Sequence, residues 1–543
     1  MGRRSGAGAG TEARRKGSVA GRGAAAARAL AVAAALLAGG ACGGGSGGGG
    51  KAAAPAGGSA GGGAGSAPAA AFAVAVETPA DIESGHVELF YRLLDPAGRP
   101  ADLEVHVSLD GGASWQPATE GLGSDGTRGL VSAPAPGARH LFVWNSFADL
   151  GEVVAPAVIA RLQVRSASGS ARASTGPFAL VNGRPGNAVA LARGPYVQSV
   201  EPTAAAIVWT TTLATTGAVE YGETPALGQV ALAQGSRGGT EHLARLSGLR
   251  PGTHYHYRVS AGGAPLSGLH RFRSANAPYQ PSFTFLVFGD SGKGNQGQWD
   301  VAQGMERAGA DFALHVGDIV YPDGEQALYD ARFFSPYRKL LAQTPIFPAM
   351  GNHDVKELFG QAFVDNFVLP DASGSERFYT FHYGDAQFFC LDSSYPWLLT
   401  PGLPQHQWFV DELVRSAARW KFVYFHHPPY SSGGHGSDTF LRSVLGPLIE
   451  QHGVDVVFTG HDHHYERTTP RQDFVRRPGG RGTVYVVTGA AGALTGSARP
   501  PASFTAAKAE ELHYTFVRID GNLLVAEARR PDGSVIDRFD LLK

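Results

Sequence analysis

The sequence predicts a multidomain chain in which two N-terminal all-β sandwiches precede an α/β layered domain, a β-sandwich flanked by helices. Three observations carry this. Between about residues 71 and 277, short alternating strand patterns are punctuated by turn residues. After Pro281 the pattern changes, and apolar runs of strand length alternate with helix-like stretches. At 543 residues the chain also exceeds what one hydrophobic core organises.

Composition narrows the function classes. Hydrophobic residues make up 43% of the chain, enough for globular packing. Lys plus Arg (46) nearly balance Asp plus Glu (47), so the basic footprint of broad nucleic-acid binding is missing. The only cysteines, Cys42 and Cys390, belong to no zinc-type cluster and build no disulfide framework.

Residues 1–42 have the layout of an export signal. Arg3, Arg4, Arg14, Arg15, Lys16 and Arg22 precede an apolar run at 29–38, followed by small residues. That run is too short for a membrane span, which needs about 20 residues. The basic region is long, so either it is a twin-arginine type signal at Arg14-Arg15 or translation starts further along. Cys42, after Gly39, Gly40 and Ala41, resembles the lipid-bearing cysteine of a bacterial lipoprotein signal. Residues 43–70 are nearly all Gly, Ala, Ser and Pro, a flexible tether that buries no core. The expected location is therefore the cell envelope or the exterior, with membrane contact only through a lipid at Cys42.

Residues 71–185 form the first predicted β-sandwich, with strands such as Val87-Glu88-Leu89-Phe90-Tyr91. The segment from Ser108 to Trp115 resembles the Asp-box hairpin of sialidase-like proteins, where it is a folding element. Residues 188–277 form the second, with Trp209 on a core strand. Its Leu249-Arg250-Pro251-Gly252-Thr253-His254-Tyr255 stretch resembles the turn and tyrosine-bearing strand of fibronectin type III domains. His254 and His256 alternate on one strand, a spacing that suits a metal pair but more often marks solvent-facing or edge positions.

Residues 281–543 carry the chemistry. The apolar runs are 283–288, 312–316, 388–391, 422–425, 454–458 and 484–488; 298–308 and 405–418 read as helices. Polar clusters follow several runs, where ligand sites of α/β folds gather. These are Gly289-Asp290-Ser291-Gly292, Gly317-Asp318-Ile319-Val320-Tyr321, Gly351-Asn352-His353-Asp354, His426-His427-Pro428-Pro429-Tyr430 and Gly460-His461-Asp462-His463. Oxygen and imidazole donors without thiolate suit hard or borderline ions such as Fe, Mn and Zn. The donors are too many for one ion and fill two. Glycine before Asp290, Asp318, Asn352 and His461 allows close backbone approach. His461 and His463 would share one side of a regular strand, whereas on a loop they diverge towards adjacent ions. Singly, each cluster is commonly a turn. Five in this order point to a site.

That order resembles the calcineurin-like metallophosphoesterase superfamily, and within it the purple acid phosphatases, over roughly residues 190 to 543. Tyr321, three residues after Asp318 and followed by Asp323, selects the purple branch. Ser/Thr protein phosphatases continue towards an arginine, which is missing here. In plant-type members a fibronectin-like domain precedes the catalytic one, as at 188–277.

The resemblance implies that Asp290, Asp318, Tyr321 and His463 hold Fe(III). It implies that Asp318 bridges to a second ion, Fe(II), Zn or Mn, held by Asn352, His426 and His461. His426 rather than His427 is aligned on the family's His-x-Pro-x-Tyr pattern. His353 and His435 would face the substrate, with Asp354 and Asp323 supporting them. The implied reaction is hydrolysis of phosphate monoesters by a metal-bound hydroxide, on a small-molecule substrate. Alternatives are a phosphodiesterase, nucleotidase or phytase on the same scaffold, or a non-catalytic surface binding protein, which loss of a ligand would favour. Cys390, in an apolar strand, reads as a buried, unreactive thiol. Nothing in the sequence signals an oligomeric state.

Overall fold

The computed structural model describes residues 72–543, apart from 80–82, 84, 183–188, 235–238, 371–372, 476–480 and 495–498. The export signal, Cys42 and the Gly/Ala-rich tether lie outside the described residues. No helix among the described residues is long and apolar enough to cross a membrane.

The first β region packs two sheets face to face. Strands Ala73–Val76, His86–Leu94 and Ala138–Asn145 make one; Ala101–Ser108, Val154–Ser166 and Gly169–Ser174 lead the other. Alternating inward residues supply the core: Val87, Leu89 and Tyr91 face Val105, Val107, Leu162 and Val164, with Trp144 between them. In the Asp-box hairpin Asp110 accepts bonds from the backbone and hydroxyl of Ser114 and from the Ser108 hydroxyl. The Trp115 indole bonds Gly112 O beneath the guanidinium of Arg161. The hairpin is thus closed on itself, as a folding element.

The second β region also pairs two sheets. Leu191–Gln198, Ala204–Thr211 and Glu241–Ser247 form one, and Gly217–Gly222 with His254–Ala261 centres the other. The Tyr255 hydroxyl accepts from Arg250 N at 2.9 Å, tying the strand to the turn before it. His254 is exposed and accepts from Arg271, while His256 is half-buried.

The rest is a sandwich of two mixed sheets. One runs Ile346–Pro348, Phe312–His315, Ser282–Phe288, Tyr514–Asp520, Leu523–Arg529, Val535–Leu542; its first three strands are parallel. In the other, Ala386–Cys390, Trp420–Tyr424, Val456–Thr459 and Val484–Thr488 are parallel. The parallel strands are largely buried on both faces, so their sequences are mostly apolar. Phe388 and Phe422 point between the sheets, where they stack at 4.8 Å and meet Phe285 and Phe312 of the other sheet. Phe389 and Val423 point outward beneath helices Pro404–Arg415 and Thr439–Gln451. Helix Gln296–Ala308 lies beside the first sheet and starts two residues before the expected 298, because the Asn295 side chain caps it by accepting from Gln298 N. The helix expected at 405–418 begins with Pro404 and ends at Arg415, where Ser416 turns extended.

The β regions pack on this sandwich. Gly123 exchanges hydrogen bonds with Gln296 and Gln303, and Arg338 and Lys339 pair with the buried Glu83 and Glu88. Arg193 reaches Asp330 and Asn366. One apolar core runs unbroken from Trp209 and Tyr257 to Phe285 and Phe388.

Candidate metal centre

All five polar clusters emerge at the carboxyl ends of parallel strands and meet at one rim. Asp290 follows Ser282–Phe288, Asp318 follows Phe312–His315, and Asn352 follows Ile346–Pro348. His426 follows Trp420–Tyr424, and His461 follows Val456–Thr459. The backbone bends sharply there. Non-glycine residues with positive φ are rare, and Asp290 (56°), Asp318 (57°) and His461 (70°) are three of the seven among the described residues. Gly351 makes room: a Cβ there would lie 2.1 Å from Asp318 Oδ1.

The donors form two groups. In the first, the Tyr321 hydroxyl lies 3.2 Å from Asp290 Oδ1 and 3.0 Å from His463 Nε2, which is itself 3.4 Å from Asp290 Oδ1. In the second, Asn352 Oδ1 lies 3.0 Å from His426 Nε2 and 2.9 Å from His461 Nδ1, and those nitrogens are 3.2 Å apart. Asp318 stands between: its Oδ2 is 3.4 Å from His426 Nε2, and ligand atoms of Asp290, Asp318 and His426 lie within 4.8 Å of one another. The loop at 461–463 sends its imidazoles to different groups, His461 to the second and His463 to the first.

The donor chemistry fits a pair of cations. The His426 Nδ1 edge faces Val316 O at 2.9 Å, so its proton belongs there and the Nε2 lone pair points at an amide oxygen, a carboxylate and another imidazole. Facing lone pairs in a buried site need a positive charge between them. Burial alone would push His426 down, yet the charges of Asp318 and Asp290 raise it to about 10. Burial tends to raise Asp318, but His426 and His353 hold it well below the carboxylate range. Burial, with Asp290 and Asp318 beside it, keeps the Tyr321 phenol protonated far above its usual range. A phenolate there requires a cation.

His353 lies at the mouth. Its Nδ1 contacts Pro322 O and lies 3.0 Å from Lys356 Nζ, while Nε2 is 3.9 Å from Asp318 Oδ2. The His435 ring lies 4.2 Å from that of His461. His427, outside the expected ligand set, packs 4.5 Å from His461 and is bonded to Ser393; burial and His426 lower it to about 3.

Further residues support the two groups. Asp354, expected only as a supporting acid, accepts from Asp318 N, Ile319 N and Gly351 N at 2.8–2.9 Å and so laces two motifs together. Asp462, between the two motif histidines, points away from them and accepts from Ser431 Oγ, His435 N and Gly436 N. His315, fully buried, bonds Ser291 and Gly317 N. Cys390 is sealed in its strand, where burial pushes the thiol far up.

Comparison with known proteins finds relatives over the same part of the chain. The sequence profile of the calcineurin-like phosphoesterases matches residues 283–465, and that of the purple acid phosphatase N-terminal domain matches 194–274. Residues 194–465 thus carry a purple acid phosphatase N-terminal domain followed by a calcineurin-like phosphoesterase domain. The chain is a metallophosphoesterase, a hydrolase of the acid phosphatase type. Human acid phosphatase type 7 is 28% identical over 368 residues, 59% of this chain and 82% of that protein. Purple acid phosphatase 21 of Arabidopsis thaliana is 28% identical over 277 residues, 48% of this chain and 60% of the relative. The purple acid phosphatase PPD1 from yellow lupin (Lupinus luteus) seeds shares the fold, with a TM-score of 0.59 at 18% identity over 86% of this chain and 96% of that one.

Proposed function

We propose that this chain hydrolyses phosphate monoesters of small molecules at two adjacent metal ions. Asp290, Tyr321 and His463 would hold Fe(III); Asn352, His426 and His461 would hold Fe(II), Zn or Mn; Asp318 would serve both. One observation carries the reading: buried lone pairs from five strand ends converge in two groups around Asp318. When bound, the ions supply Lewis-acid charge to the phosphoryl oxygens and make water nucleophilic under acidic conditions.

The protein's own residues do the rest. Asp290, Asp318 and the Tyr321 phenolate bring about three negative charges against about five on the ions, which leaves an electropositive seat for a phosphate anion. His353 has its Nδ1 edge turned to Pro322 O and Lys356, so Nε2 is the ring nitrogen that faces the site and would meet the leaving oxygen. His435, anchored through its backbone by Asp462, adds a second imidazole at the mouth. Asp354 fixes the backbone of the Asp318 and Gly351 loops so that both groups stay in register. We read residues 1–42 as an export signal of lipoprotein type, which would place the enzyme in the cell envelope or outside the cell.

The test is to purify the mature form, measure its metals and visible spectrum, and assay nitrophenyl phosphate, its bis-ester, nucleotides and phytate across pH. Two metals per chain, a visible band and preference for the monoester under acidic conditions are expected. Faster turnover of the bis-ester would replace the monoesterase reading with a diesterase. An inactive, metal-replete protein would overturn the catalytic reading.

A further inference from the structure

Lys293 has no place in the expected site, yet its ammonium lies 3.8 Å from the centroid of the Tyr321 ring. The backbone puts it there. Ser291 N donates to Asp318 O at 3.2 Å and Tyr321 N donates to Gly292 O at 3.0 Å, so the loop after Asp290 is laced along the loop after Asp318. The approach is so close that a Cβ on Gly292 would lie 1.9 Å from Ile319 O. Lys293, next in sequence, is delivered onto the phenol face.

Its electrostatic surroundings are mixed. Asp318 and Asp290 favour the charged amine, whereas Arg332 and Lys356 oppose it. Among the described residues no carboxylate of its own forms an ion pair with it. The hydroxyl of the same ring enters the first donor group through Asp290 and His463. A positive charge is therefore seated on the back of a ring whose oxygen faces Asp290 and His463.

We propose that Lys293 is a positioning residue for Tyr321: its ammonium holds the ring by a cation–π contact and draws electron density away from the oxygen that enters the metal site. The inference rests on the reading of Tyr321 as a ligand of Fe(III). A cation over the ring stabilises the ring electrons, so moving one of them to the ferric ion takes more energy. The charge-transfer band of the wild-type protein then lies at shorter wavelength than it would without Lys293.

The experiment compares visible spectra of the wild-type, Lys293→Met and Lys293→Arg holoenzymes at equal metal content by elemental analysis. The lysine is exposed, so its replacement leaves the core intact. Lys293→Met should move the band to longer wavelength by on the order of 10 nm, and Lys293→Arg, which keeps a cation, should stay near wild type. A coloured, metal-replete Lys293→Met protein with an unmoved maximum overturns this inference alone. A wild-type protein with metals but no visible band overturns the iron reading, and this inference with it.

Discussion

Asp318 Oδ2 faces His426 Nε2 across 3.4 Å, with both side chains sealed from solvent. His426 leans on the Val316 carbonyl through its other nitrogen, and Asp318 receives the backbone N–H of His353 at Oδ1. Neither group can turn away from the other. In a dry site this pair needs a proton or a metal between its members, and the proposed function assigns that place to a metal.

Asp318→Asn removes the shared charge while keeping the shape. Bound metal should fall from two ions to at most one per chain, and kcat on nitrophenyl phosphate should drop at least ~100-fold. Elemental analysis with steady-state kinetics reads both. Two retained metals at an unchanged rate would remove Asp318 from the bridge.

Asp354→Ala would leave the N–H groups of Asp318, Ile319 and Gly351 without an acceptor inside the protein. Each unpaired buried group costs about 1–3 kcal/mol, so the variant should lose roughly 3 kcal/mol or more, with a ~10–100-fold loss of metal affinity. Asp354→Asn keeps an acceptor and should lose less. Denaturant melts with and without metal would show it, and a melt like wild type would contradict it.

Asp462 grips the loop that carries His435 and bonds neither group of proposed metal donors. Asp462→Asn should therefore raise KM for a monoester roughly 10-fold while both metals stay. Metal loss in this variant would show that the loop supports the centre itself.

Stability should decline in acid through His513, which is fully buried between Thr488 and the Glu511 carbonyl and is pushed by burial down to about 4. Its folded value lies below the ordinary 6.5, so the unfolded chain binds the extra proton. The associated stability is complete above pH 6.5 and is lost as pH falls towards 4, by about 3 kcal/mol. Urea titrations at pH 7 and pH 4.5 should show wild type losing more than His513→Gln. Parallel losses would refute the assignment.

The proposed metal donors were legible because they lie where strand-length apolar runs break into polar residues, in four of the five clusters just after a glycine. Asn352 and His461 sit 109 positions apart, yet both could be placed at strand ends, and strand ends of one α/β domain share a rim. Asp354 and Asp462 were not legible in the same way. Their roles depend on which backbone N–H groups from another motif arrive beside them, and spacing along the chain does not carry that information. Lys293 is harder still, because its partner is the face of a ring. In the fold, the apolar runs located the strands, but their assortment into two sheets was hidden. Tyr514–Asp520 pairs with Ser282–Phe288, whose sequence is more than two hundred residues away.

The continuous apolar core that includes both Trp209 and Phe285 also bears on how the molecule can be dissected. The domain before the catalytic one is not a bead on a string, since no polar seam divides their interiors. Severing the chain near Ala277 would bare a greasy surface on each half, and a fragment beginning there should clump rather than dissolve. A workable shortened enzyme has to begin upstream of Leu191.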